Sequence, residues 1–232
     1  MPIPLVILGI CREVVIIAPP ILSYIRVRMP DLHYENLYGL SEGKIICGVD
    51  EVGRGPLAGP VVVAAVILPR LGLPPEVADK IQDSKKMSEK QREALFPALI
   101  QQCTYKIAEA SVREIDQLNI LHATMLAMQR AVLGLGVKID RALIDGNRAP
   151  KLDCEATTII KGDGKSLSIA AASIIAKVTR DRLMKKLAEE FPGYGWDRNA
   201  GYGTAEHLAA LQKLGITEWH SMSFAPVSKA RL

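Results

Sequence analysis

Hydrophobic periodicity divides the chain into short apolar runs and longer amphipathic stretches. Residues 44–50 (KIICGVD) form an apolar run that leads into a glycine-rich turn, which predicts a strand. Residues 60–68 (PVVVAAVIL) are β-branched and bounded by prolines, which predicts a second, buried strand. Ser88 and Gln91 have capping-box spacing and open a helix to about Gln102. Thr104 to Val112 alternates as a third strand. Residues 114–134 place Leu118, Leu121, Met125, Met128 and Val132 three and four apart, the core stripe of an amphipathic helix. Residues 141–145 (RALID) and 156–161 read as further strands. A long helix from about Ser166 to Glu190 is rich in small side chains and stops at Pro192-Gly193, and a last helix covers 204–214. Strands and helices interleave, so the expected class is α/β around a central sheet.

The first thirty residues break this pattern. They are apolar but interrupted by Arg12-Glu13 and Pro19-Pro20. No stretch reaches the ~20 residues a membrane-spanning helix needs. There is no basic start or clear cleavage site, as a secretory signal would require. We expect no stable membrane association, although a tether through residues 1–28 is a competing reading. The domain division expected is an extension over 1–43, with residues up to about 28 outside the working fold. A main domain follows over 44–191, with a C-terminal helical and loop region over 192–232.

Composition narrows the class. Of 232 residues, 49% are hydrophobic and 23% charged, which excludes disorder and collagen-like or coiled-coil chains. The net charge of +4 permits a polyanionic partner without requiring one. Cys11, Cys47, Cys103 and Cys154 are scattered without a CxxC pair, so reduced thiols in a cytoplasmic protein are expected. The four histidines (His33, His122, His207, His220) show no ligand spacing.

The candidate chemistry lies in acids at the ends of apolar runs. Asp50 and Glu51 close the first strand, Asp145 closes RALID, and Asp163 follows TTIIKG. Ligands bind outside the carboxyl ends of strands in open sheets, and hard divalent ions favour oxygen ligands. Each acid alone is accounted for as a turn former. Their recurrence at comparable strand ends favours a metal site. Neighbours in a strand point to opposite faces, so Asp50 and Glu51 are expected to share an ion only if the strand breaks there, near Gly53 and Gly55.

Around the acids lie further candidates. Gly53-Arg54-Gly55 lets backbone approach a ligand, with Arg54 in reach of a phosphate. Asp83-Ser84-Lys85-Lys86 offers a hydroxyl and two ammonium groups to a nucleic-acid backbone, and taken alone reads as a solvated approach to a helix. Lys177, Arg180, Arg182, Lys185 and Lys186 read as a solvated helix face or a phosphate track. Tyr202, between Gly201 and Gly203, can stack on a sugar or base. Residues 161–166 (KGDGKS) mimic a P-loop but have Ile159 where its first glycine belongs.

These motifs occur together in one known pattern. DEVGRGPLAGPV from Asp50, DSKK from Asp83, NILHATMLAM from Asn119, LIDGN from Leu143, KGD ending at Asp163, SIAAASIIAKVTRD from Ser168, GYGT at Gly201 and SFAPV at Ser223 resemble bacterial ribonuclease HII over about residues 44–227. The resemblance implies a ribonuclease H-like fold: a central mixed sheet flanked by helices, with a helical C-terminal region. It implies an endonuclease that cuts the RNA strand of RNA–DNA hybrids and cuts at single ribonucleotides in duplex DNA, leaving 3′-hydroxyl and 5′-phosphate ends. Ribonucleotide excision during DNA replication and repair would be its role. By position, Asp50, Glu51, Asp145 and Asp163 would be catalytic. Asp50, Glu51 and Asp145 would ligate Mn2+ or Mg2+, and Asp163 would ligate or orient water. Gly53, Arg54 and Gly55 would recognise the 2′-hydroxyl and Tyr202 would stack on the next deoxyribose. One ion would activate water and the other would stabilise the leaving 3′-oxygen. A monomer without an obligate protein partner is implied. The stretch His220-Ser221-Met222-Ser223-Phe224 departs from the family by lacking basic residues after the histidine. The competing class is a non-catalytic nucleic-acid-binding module, which would have no use for clustered acids. Sequencing the mature N-terminus is expected to find a chain that starts at Met29.

Overall fold

The computed structural model describes residues 29–230. Its elements run α1 (His33–Leu37), β1 (Ile46–Val52), β2 (Val61–Ile67), α2 (Pro75–Ala78), α3 (Glu89–Gln102), β3 (Thr104–Ala110), α4 (Val112–Leu133), β4 (Arg141–Asp145), β5 (Glu155–Ile159), α5 (Leu167–Glu190), α6 (Trp196–Asn199), α7 (Ala205–Leu214) and α8 (Ala225–Lys229). The sheet order is β3-β2-β1-β4-β5. β1 pairs antiparallel with β2 and parallel with β4, and β5 is parallel to β4. This is the expected mixed sheet between helices. The expectations for residues 1–28, including Cys11, fall outside the described residues. Among the described residues no helix is long and apolar enough to cross a membrane, and Cys47, Cys103 and Cys154 are free thiols.

The strands form where side chains can be buried on both faces. Every residue of β2 up to Val66 is fully buried, so this antiparallel strand reads as a continuous apolar run rather than an alternation. Cys47, Val49, Val63, Ala142 and Ile144 face α4. Ala64 and Val66 face α3 and α5. The closest approach is at Gly48, where an added Cβ would stand 2.2 Å from the Ser168 carbonyl carbon and 2.3 Å from the Ile169 nitrogen. The backbone of α5 therefore lies directly on β1. Ala170, Ala171, Ala172 and Ala176, all buried, keep that helix thin enough to do so.

Helix ends follow sequence chemistry. Ser88 and Gln91 form the expected reciprocal cap on α3. Ser111 and Glu114 form a second one on α4. α4 departs from expectation. Asn119 has φ 66 and ψ 163, so the helix kinks there, and the Asn119 carboxamide oxygen accepts from the amides of Leu121 and His122 to restart it. The expected single core stripe is thereby divided. Met128 and Val132 are buried, but Leu118 is 40% exposed.

Residues 31–43 are tied into the fold, although the sequence division set them with the extension. Leu167 N–H donates to the Asp31 carbonyl at 2.9 Å. The buried Glu35 carboxylate accepts from Ser166 Oγ, Ser168 N–H and Ser168 Oγ at 2.6–2.8 Å. A carboxylate at the N-terminus of α5 satisfies free amides and suits the helix dipole.

Apart from Arg180, the basic residues of α5 pair with acids of this chain, and Arg182, Lys185 and Lys186 form the solvated face that is one of the two expectations for this helix. Lys177 pairs with Asp181, Arg182 with Glu93, Lys185 with Glu89 and Lys186 with Glu190. Arg180 is 1% exposed. Its guanidinium donates to the carbonyls of Pro60, Ala200 and Ala58 at 3.0, 2.8 and 2.9 Å. It joins the loop after β1 to the C-terminal region and is not a surface phosphate contact. Burial pushes its pKa down to about 10, so it stays charged at neutral pH. Replacing Arg180 by Met leaves three buried carbonyls unpaired and is expected to cost about 3–5 kcal/mol in urea unfolding.

Candidate active site

The site is built where β1 and β4, side by side and parallel, run out. Val49 pairs with Ile144, which brings the next residues, Asp50 and Asp145, together at the strand ends. β1 does not break at its acids: Asp50 and Glu51 both stay in register with β2, opposite Ala64 and Val63. The expected break is absent. The pleat sends Asp50 toward α5 and Glu51 toward α4, and the acids meet around the open end of the sheet.

Each acid has partners that temper its charge. Asp50 is 4% exposed and accepts from the Glu51 amide at 2.8 Å. Glu51 Oε1 lies 3.3 Å from an Arg54 nitrogen. Asp145 Oδ1 accepts from Gly162 N–H at 2.6 Å. Asp163 is buried, with Oδ2 3.9 Å from Lys85 Nζ. A Cβ at Gly162 would stand 2.7 Å from the tip of Ile169 and 3.3 Å from the Asp145 carboxylate, so the glycine backbone lies close against the Asp145 side chain.

The electrostatics show the crowding. Burial, then Glu51 and Asp145, hold Asp50 well above the usual aspartate range, while the Ser173 hydroxyl opposes the rise. Burial raises Glu51 against the pull of Arg54, with Asp145 adding to the rise. Burial, then Asp145 and Asp83, raise Asp163 against Lys85. Burial works against the Lys85 charge, but Asp163, Asp50, Asp145 and Asp83 outweigh it and lift its pKa. One ammonium group thus faces four carboxylates.

Several contributors were not read from the sequence as part of this cluster. Asp83 belongs to it. Ser84, expected as a hydroxyl for nucleic acid, is buried, its Oγ 2.6 Å from Ser173 Oγ. It steadies the group that tempers Asp50. Leu121, Met125 and Met128 line a cleft of ≈ 240 Å³ together with Glu51, Arg54 and Asp145. Part of the expected core stripe is therefore the wall of the site. The clue available in the sequence was Asn119, a poor helix former in mid-stripe.

The remaining sequence candidates converge on the same edge. Gly53 has φ 104, and a Cβ there would meet Arg180 Nε and the Pro60 carbonyl at 2.5 Å. A Cβ on Gly55 would lie 3.3 Å from Tyr202 Cε1, so the half-exposed tyrosine ring sits over that glycine. Leu57 N–H donates to the Gly201 carbonyl at 2.8 Å and ties the two loops together.

Among the described residues, no three His, Cys, Asp or Glu side chains are already gathered as a ligand shell. The donor set nonetheless fits a hard cation. The carboxylates repel one another, and Glu51 Oε2 is buried without a hydrogen-bond partner. Such an atom needs a cation or water.

A mixed sheet with clustered acids at the ends of its parallel strands, beside an open cleft, has the architecture of a metal-dependent phosphodiester hydrolase of the ribonuclease H class. Comparison with known proteins narrows the class. The ribonuclease HII family profile matches residues 47–227. The ribonuclease HII of Paramagnetospirillum magneticum is 54% identical over 204 residues, covering 88% of this chain and 100% of its own. The ribonuclease H2 structure from Pyrococcus horikoshii OT3 superposes with TM-score 0.63 at 29% identity, covering 80% of this chain and 96% of that one. Bst-RNase HIII in complex with Mn2+ shares the fold at TM-score 0.64 and 20% identity, covering 81% and 69%. The chain belongs to the ribonuclease HII family and is a metal-dependent endonuclease acting on the RNA strand of RNA–DNA hybrids.

Because Asp50 holds its proton to a higher pH folded than unfolded, its contribution to stability is lost as pH rises above the ordinary value of 3.8. In chelator at pH 7, Asp50→Asn is expected to stabilise the fold by about 1–2 kcal/mol, or about 2–8 °C in thermal melts. The gain is expected to vanish near pH 3.8.

Proposed function

We propose that this endonuclease cuts at single ribonucleotides embedded in duplex DNA as well as in longer hybrids, by a two-metal mechanism that leaves 3′-hydroxyl and 5′-phosphate ends. The observation that carries the reading is the convergence of Asp50, Glu51, Asp145 and Asp163, drawn from three strand ends, beside a glycine loop covered by Tyr202. Asp50, Glu51 and Asp145 would hold Mn2+ or Mg2+, Asp50 and Glu51 approaching from the two faces of the unbroken β1, with the free Glu51 Oε2 as one oxygen ligand. Bound there, divalent ions supply an activated water near neutral pH and neutralise charge on the leaving 3′-oxygen. Asp163, tethered to Lys85, orients water at the rim of the cluster.

Substrate selection falls to the adjoining loops. Gly53 and Gly55 bring backbone groups to the 2′-hydroxyl, which distinguishes RNA from DNA. Arg54 anchors Glu51 and reaches the phosphate. The Tyr202 ring, seated over Gly55, packs against the following deoxyribose. No side chain has to act as nucleophile. The enzyme acts as a monomer in the cytoplasm, where the free thiols fit a reducing environment.

The test is digestion of an end-labelled DNA duplex carrying one ribonucleotide. Cleavage on the 5′ side of that ribonucleotide is expected with Mn2+ or Mg2+ and none in chelator. Asp145→Asn is expected to lose at least about 10³-fold in rate while still shifting the duplex in a gel. Cleavage in chelator, or binding without cleavage under any metal, would overturn the proposal.

A further inference from the structure

The C-terminal region contains two imidazoles outside the acid cluster, and their hydrogen bonds run in one direction. The backbone N–H of Thr217 donates to His220 Nδ1 at 3.0 Å, which leaves the His220 proton on Nε2. His220 Nε2 lies 3.0 Å from His207 Nε2. Only one of these facing nitrogens can carry a proton. His207 Nε2 is the acceptor, and it also receives Trp196 Nε1–H at 3.1 Å. The His207 proton therefore sits on Nδ1, 2.9 Å from the carbonyl oxygen of Tyr202. The chain of donors runs from Thr217 through both histidines to the backbone of Tyr202.

We propose that His207 and His220 act as a neutral, proton-ordered strut that holds the Tyr202 backbone and so sets its ring over Gly55 for reading the nucleotide at the RNA–DNA junction. They are positioning residues. The proposal rests on the reading of Tyr202 as a substrate contact.

The surroundings support a neutral pair. Both rings are buried. Burial lowers the His207 pKa, and burial followed by His207 lowers His220 to about 4. The Tyr194 and Trp196 rings pack on His220 at centroid distances of 5.1 and 5.3 Å. Glu206 is the carboxylate that favours a charge on His207, and it is already bound by Arg198. The segment at Ala58 meets His220 through its backbone. A proton added to either ring would set two N–H groups face to face. The strut shares its load with Arg180, which grips the Ala200 carbonyl two residues before Tyr202.

Two measurements test the strut separately from the role of Tyr202. In the wild-type protein, nitrogen-15 NMR of the imidazoles is expected to show His220 protonated on Nε2 and His207 on Nδ1 at neutral pH. The opposite tautomers, or an imidazolium, would overturn it. In cleavage of the single-ribonucleotide duplex with Mg2+, His207→Leu is expected to raise KM about tenfold with kcat changed by less than about twofold. His207→Asn, whose amide can still donate to Tyr202, is expected to restore most of the loss. On a Tyr202→Ala background, His207→Leu is expected to add nothing. Additive effects, or no rescue by Asn, would overturn the strut. A Tyr202→Ala variant with unchanged KM would instead overturn the substrate role of Tyr202.

Discussion

The arrangement depends on the contact of α5 with β1 at Gly48. A helix whose backbone touches a strand cannot slide or lift without losing the contact, and any side chain at that glycine would force them apart. With that distance set, α5 carries three functions along its length. Its N-terminus lies next to Asp163 and is capped by Glu35. Its middle offers Ser173 to Asp50. Its C-terminal half inserts Arg180 between the glycine loop and the Tyr202 loop. The helix is so rich in alanine because a thin helix is what allows one element to reach all of these places.

The second principle is electrostatic and opposes the first. Packing gathers Asp50, Asp83, Asp145 and Asp163 around the Lys85 ammonium, with Lys86 beside Asp83 and Arg54 beside Glu51. Burial and mutual repulsion raise the protonation points of Asp50, Glu51 and Asp163, so the fold bears a cost at neutral pH that divalent cations would relieve. The core is apolar and closely packed on both sides of the sheet, and it can tolerate that local cost. The strain is confined to the edge where substrate must enter.

Much of this could be read from the residues, and the exceptions have physical causes. β2 and β4, the caps of α3 and the extent of α5 follow from local chemistry, so periodicity found them. The acids were visible as strand-end residues, but their meeting depends on the parallel pairing of β1 with β4, which no local pattern encodes. The kink at Asn119 escaped the periodicity because the Leu and Met spacing runs through it undisturbed, and only the poor helix former itself marked it. Arg180 looked like its exposed neighbours on the helix, since a basic residue does not announce its burial. His207 and His220 share no ligand spacing because they hydrogen-bond each other across the fold. For the site residues the family resemblance supplied the assignment, and the structure supplied the proximity.

The long-range pairing of β1 with β4 also orders events in time. Segments nearly a hundred positions apart must meet before the first acids touch, and closing so large a loop is slow. The acid cluster is therefore a late product of folding, complete only once strands far apart in sequence have paired.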